Sequence, residues 1–204
     1  MDIEKYGDIY EQFKKVGRIM YEQRLNNSHS GNMSIRVGDR IFITRRGSML
    51  GFLKPEDIII TGFYEDDSGI ALASTEIGVH RAILQKTGAL AVAHGHLLMA
   101  TALSIVQDEI IPIDVEGSYY MYKIPVLSFE YASGSKELAE GVSDALRDYK
   151  VVMVKGHGAF TIGNTLEEAL QWLHQAESIA EIIYYVKSMG YNPKDYEKDA
   201  YKKW

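Results

Sequence analysis

Apolar residues return along this chain in two rhythms. Over residues 3–25 they recur at three- and four-residue steps, with Ile9, Phe13, Val16 and Met20 on one stripe, which predicts an amphipathic helix. The polar, glycine-containing "NNSHSGN" ends it. "MSIRV" and "RIFIT" then flank Gly38 and Asp39, a pair that predicts a two-residue β-hairpin turn. After the loop "RRGSMLGFLKPED" comes a further apolar strand, "IIITGF". "STEIGVHRAILQKTG" restores the helical period between a hydroxyl cap and a closing glycine. "ALAVAHGH" is strand-like, "LLMATALSIV" helical, and "KIPVLSF" a short strand. "SKELAEGVSDALRD" predicts a helix, and "VVMVKGHGAFTIG" two strands joined at glycines. The longest helix is expected over 165–189, where Leu166, Leu170, Leu173, Ile179 and Ile183 are among the apolar positions.

No repeat or linker interrupts this order. It predicts one mixed α/β domain over residues 1–190 and a polar tail over 191–204. A length of 204 residues suits one core. The formal charge of −6 comes with no stripe of Lys or Arg, which argues against a nucleic-acid partner and leaves room for an anionic small substrate. The chain has no cysteine, so disulfides and thiolate metal sites are excluded, and any zinc must be held by His and carboxylate. No segment approaches the ~18 uninterrupted apolar residues of a membrane span. The charged, helix-patterned "MDIEKYGDIYEQFKKV" does not read as a signal peptide, so a cytoplasmic location is expected.

Chemistry concentrates in a few short segments. His94 and His96 sit two apart in a predicted strand and would present two imidazoles on one face. That spacing fits two metal ligands, and it also fits two core histidines satisfied by hydrogen bonds. His157, between glycines in "KGHGAF", is a third candidate ligand. Glu76 opens a predicted helix, where an acid favours the positive N-terminus. His80 lies four residues on, an ordinary helical pair with Glu76, while His174 fits a helix face and His29 a polar loop. Ser74 and Thr75 at the helix start, with the loops "SGNMS" and "TRRGS", could form an anion cradle to which Arg45 or Arg46 adds charge. Lys155 invites a Schiff-base reading and, more simply, that of a strand-end lysine.

Taken in order, "SGNMSIR", "ITRRG", "ASTE", "AHGH" and "KGHGAF" resemble the motifs of the class II aldolase/adducin family, over nearly all of residues 5–190. The resemblance implies the class II aldolase fold, a single-domain α/β/α sandwich with a mostly antiparallel central sheet, assembled as a homotetramer with sites near subunit interfaces. It implies one Zn2+ per subunit on His94, His96 and His157, with Glu76 as resting metal ligand and then catalytic acid/base. Gly31, Asn32, Arg46, Gly47, Ser74 and Thr75 match the segments that hold a substrate phosphate. The reaction implied is retro-aldol cleavage of a ketose 1-phosphate, such as L-fuculose 1-phosphate, to dihydroxyacetone phosphate and an aldehyde, with the metal as Lewis acid.

Two rival readings share the fold, a methylthioribulose-1-phosphate dehydratase and a ribulose-phosphate 4-epimerase; a third, a non-catalytic adducin-like module, is opposed by the metal histidines, which such modules have lost. Two departures stand out. Glu116, in "IPIDVEG", replaces a catalytic tyrosine and is either a second acid/base or a solvated acid at a strand end. Arg46 stands where a small hydroxyl residue is common. A family tyrosine from the C-terminal tail has candidates here in Tyr191, Tyr196 and Tyr201.

Overall fold

The computed structural model describes residues 3–197. Strands β1 (Asn32–Val37) and β2 (Arg40–Thr44) form the expected hairpin, with Val37 paired to Arg40 across Gly38 and Asp39. They belong to an eight-stranded sheet completed by β3 (Ile58–Gly62), β4 (Ala91–Gly95), β5 (Glu109–Ile110), β6 (Ile124–Leu127), β7 (Val151–Val154) and β8 (Gly158–Gly163). The strand order is β3-β2-β1-β4-β8-β7-β6-β5, antiparallel throughout except for the parallel β6–β7 pair.

Alternation along each strand divides the core into two. Phe42 on β2 packs into one cluster and its neighbours Ile41 and Ile43 into the other. On β7, Val151 and Met153 separate from Val152 and Val154 in the same way. The first cluster takes in the apolar faces of α1 (Ile3–Glu22), α3 (Leu98–Val106) and α6 (Leu166–Ser188). The second takes in α2 (Ile77–Thr87) and α5 (Lys136–Ala145). Helices on both faces make the α/β/α arrangement that the family resemblance implies. Among the described residues, no helix is long and apolar enough to cross a membrane.

The segment between α3 and β6 differs from expectation. It holds β5 and a short helix, α4 (Val115–Tyr120). Glu116 therefore lies in the first turn of a helix and not at a strand end, because the Asp114 side chain accepts from the Gly117 amide at 2.7 Å and caps that turn. The described part of the tail, residues 191–197, contains one 3-10 turn, Pro193–Asp195. Tyr201 lies outside the described residues.

Pairing of β4 with its two neighbours brings distant segments to one end of the sheet. β1 sets Asn32 opposite His94, and β8 sets Phe160 opposite His94. Close approach there depends on glycine. A Cβ on Gly158 would lie 2.4 Å from the Gly95 carbonyl oxygen, and one on Gly31 would lie 2.7 Å from that of His94. Gly31 also has a φ of 78°, in the left-handed region.

Candidate active site

His94 is fully buried near the end of β4, its ring stacked on Phe160 at 4.1 Å. Its Nδ1 lies 2.9 Å from the Ala159 carbonyl oxygen. A carbonyl only accepts, so Nδ1 carries the hydrogen and Nε2 keeps its lone pair. That lone pair faces His96 Nε2 at 3.1 Å and Glu76 Oε2 at 3.4 Å. Burial holds the His94 pKa well below the ordinary value, and His96 and His157 beside it act in the same direction. His96, in the turn between β4 and α3, is pushed down to about 4, first by burial and then by His157.

His157 arrives from the turn between β7 and β8, and its Nδ1 is buried with no hydrogen-bond partner. One ring nitrogen from each of the three histidines lies within 4.8 Å of the others. Neutral imidazoles, a lone pair turned toward a carboxylate and an orphaned ring nitrogen form a donor set that suits a divalent cation, with room for an open position.

Glu76 does not act as a helix cap. It precedes α2 with no capping hydrogen bond from its side chain, and it is 3% exposed. Instead Oε2 accepts from Asn32 Nδ2 at 2.9 Å, and Oε1 accepts from the Ser133 hydroxyl at 3.4 Å. His80 also departs from the simple helical pair: its ring turns away from Glu76 toward β1 and bonds Asn32 and Ser34.

Above these groups opens a cleft of about 260 Å³, and all six residues expected at a phosphate, Gly31, Asn32, Arg46, Gly47, Ser74 and Thr75, line it. Glu76, His96 and His157 border the same cleft. Arg45 lines it too, as does His29, which the sequence places only in a polar loop. Ser133 is the residue that sequence reasoning misses, since nothing in the loop before α5 marks a serine that folding brings to Glu76. A hollow of about 570 Å³ bordered by Lys15, Thr165 and Gln171 is larger but gathers no such ligand set.

Two expected residues stay apart. Glu116 is exposed on α4 and does not line the cleft. Lys155 pairs with Asp108, 3.0 Å away, and does not line the cleft, which fits a strand-end lysine.

The profile described as Class II Aldolase and Adducin N-terminal domain matches residues 11–184. The chain belongs to the class II aldolase and adducin family. An L-fuculose phosphate aldolase of Methanocaldococcus jannaschii is 34% identical over 162 residues, covering 78% of this chain and 86% of that protein. A 5-methylthioribulose-1-phosphate/5-deoxyribulose-1-phosphate aldolase of Escherichia coli is 32% identical over 89% of this chain and 85% of its own length. The crystal structure of L-fuculose-1-phosphate aldolase from Thermus thermophilus superposes with a TM-score of 0.84 at 33% identity, covering 89% of this chain and 95% of that one. This chain is thus a class II aldolase, a lyase of a metal-dependent family whose relatives act on phosphorylated sugars. The adducin-like, non-catalytic alternative, which lacks the metal histidines, does not fit a chain that brings His94, His96 and His157 together.

Proposed function

We propose that this class II aldolase is zinc-dependent and cleaves a ketose 1-phosphate of the L-fuculose 1-phosphate type to dihydroxyacetone phosphate and an aldehyde. The observation that carries the reading is Glu76, a buried carboxylate 3.4 Å from Nε2 of His94 beneath a cleft lined by Arg46, Ser74 and Thr75. His94, His96 and His157 are assigned to the zinc, and Glu76 is close enough to join them in the resting site. Bound there, zinc supplies Lewis-acid stabilisation of the negative charge that develops as the C3–C4 bond breaks. Arg46 brings positive charge to the phosphate, while Gly31, Asn32, Gly47, Ser74 and Thr75 border it with small side chains and backbone.

Cleavage releases the C4 hydroxyl proton and leaves an electron pair at C3 that must be protonated. Glu76 is assigned the transfer of a proton at C3. Glu116 is assigned to the second transfer, reaching the cleft of a neighbouring subunit in a homotetramer. Exposed apolar residues support that assembly: Leu98, Ile105 and Val106 of α3, and Tyr119 on the same helix as Glu116, are 59–71% exposed. The similarity to a 5-methylthioribulose-1-phosphate aldolase favours a second substrate for the same cleavage.

The test is to incubate the zinc-loaded protein with L-fuculose 1-phosphate and 5-methylthioribulose 1-phosphate and to assay dihydroxyacetone phosphate. Its appearance, abolished by chelator and restored by zinc, is expected. Loss of water would instead identify a dehydratase, and interconversion of pentulose phosphates without cleavage an epimerase. Chelator-insensitive turnover would remove the zinc.

A further inference from the structure

Glu76 stands at the end of a line of buried polar groups. Ser34 and Asn32 lie two residues apart on β1, and the His80 ring from α2 fits between them. Ser34 and His80 are wholly buried, and Asn32 is 8% exposed. Ser34 Oγ lies 2.7 Å from His80 Nδ1, His80 Nε2 lies 2.5 Å from Asn32 Oδ1, and Asn32 Nδ2 lies 2.9 Å from Glu76 Oε2.

The chemistry of the groups gives this line one direction. An ionised Glu76 only accepts, so Asn32 must turn its NH2 toward it. The Asn32 carbonyl then faces His80, whose hydrogen must sit on Nε2. Nδ1 becomes the acceptor and takes the Ser34 hydroxyl. Reversing any link would set two acceptors or two donors against each other among almost wholly buried groups, an arrangement that is costly to leave unpaired. Burial also keeps His80 neutral at ordinary pH.

We propose that His80 is a positioning residue for Glu76. It holds the Asn32 amide in the orientation whose NH2 faces the carboxylate, and so fixes the acid/base without touching substrate or metal. Without the His80 N–H, the amide can flip and set its oxygen against Glu76. The inference rests on the reading of Glu76 as the group that moves protons.

Two variants and one spectrum test it. His80→Leu keeps the bulk and removes both ring nitrogens, whereas the terminal NH2 of His80→Gln can stand in for the Nε2 donor. Per bound zinc, His80→Leu is expected to lose about tenfold to 100-fold in kcat with KM within about threefold of wild type. His80→Gln is expected to recover to within about threefold of the wild-type kcat. In metal-free wild-type protein, 15N NMR should find His80 as the Nε2–H tautomer with Nδ1 accepting a hydrogen bond.

Wild-type kcat in His80→Leu, equal losses in the two variants, or an Nδ1–H tautomer would each overturn the proposal. If His80→Leu does not fold, the Gln variant and the tautomer decide alone. A wild-type protein that binds zinc yet cleaves no ketose 1-phosphate overturns the function instead, and the tautomer still judges the hydrogen-bond line.

Discussion

A buried histidine is useful to a metal only while it stays neutral, and in this cleft burial does most of that work. His94 and His96 both titrate well below the ordinary range, so their lone pairs are available at neutral pH. His94→Ala is expected to weaken zinc binding and to lower turnover by at least about 1000-fold, since only His96 and His157 would hold the metal once Glu76 leaves it to carry a proton. Metal analysis with circular dichroism on the same sample checks that the loss is not unfolding. Retention of both zinc and activity would sink the assignment.

His80 makes a different prediction, for stability. Its folded pKa is about 3, whereas an unfolded histidine takes up a proton near 6.5. Below pH 6.5 the unfolded chain therefore binds a proton that the folded chain refuses, and the fold weakens as pH falls toward 3. The share from this one residue is about 1.4 kcal/mol per pH unit. Urea unfolding of the metal-free protein between pH 7 and 4 should show the decline, and His80→Gln should show a shallower one.

At the scale of elements, the ligands depend on where strands stop and how closely turns pack. Gly158→Ala places a methyl against the Gly95 carbonyl, backbone against backbone, and must push the β7–β8 turn away from β4. A lower melting temperature and weakened zinc binding are expected together, because His157 sits in that turn. The helix after His96 has its own anchor. Glu177, inside the apolar face of α6, accepts from the Met99 and Ala100 amides at 2.8 and 2.9 Å. It serves the first turn of α3, whose capping residue, Leu97, offers no side-chain bond. Burial raises the Glu177 pKa while these amides pull it down. Glu177→Ala strands those amides and is expected to destabilise the fold by about 1–3 kcal/mol in a urea melt. The helical stripe of Leu173, Ile179 and Ile183 is plain in the sequence. The acid among those apolar residues carries no signal, because its partners lie 77 and 78 residues away.

For the whole molecule, the exposed apolar surface of α3 and α4 predicts assembly. Sedimentation should give a homotetramer. Val106→Asp should shift it to smaller species, since a charge would then be buried in an apolar contact. If Glu116 serves a neighbour's cleft, His94→Ala and Glu116→Gln chains, each inactive alone, should regain activity when mixed and reassembled. Activity no higher than the sum of the two separate chains would return Glu116 to the role of a solvated acid.

Most elements were legible in the sequence because their causes are local: apolar period, a hydroxyl cap, glycine at a turn. The segment holding α4 was not, since a single capping aspartate outweighed a weak pattern there. The three histidines, Glu76 and the phosphate-like loops could also be picked out by type and order. What the sequence could not determine was which polar group meets which. The β1–β4 register puts Asn32 beside His94, folding of the 129–134 loop brings Ser133 to Glu76, and His80 turns to β1 instead of to its helical neighbour. Those partnerships belong to tertiary structure, because a buried polar group bonds whatever distant strands and loops carry to within about 3 Å, and no local pattern encodes that distance.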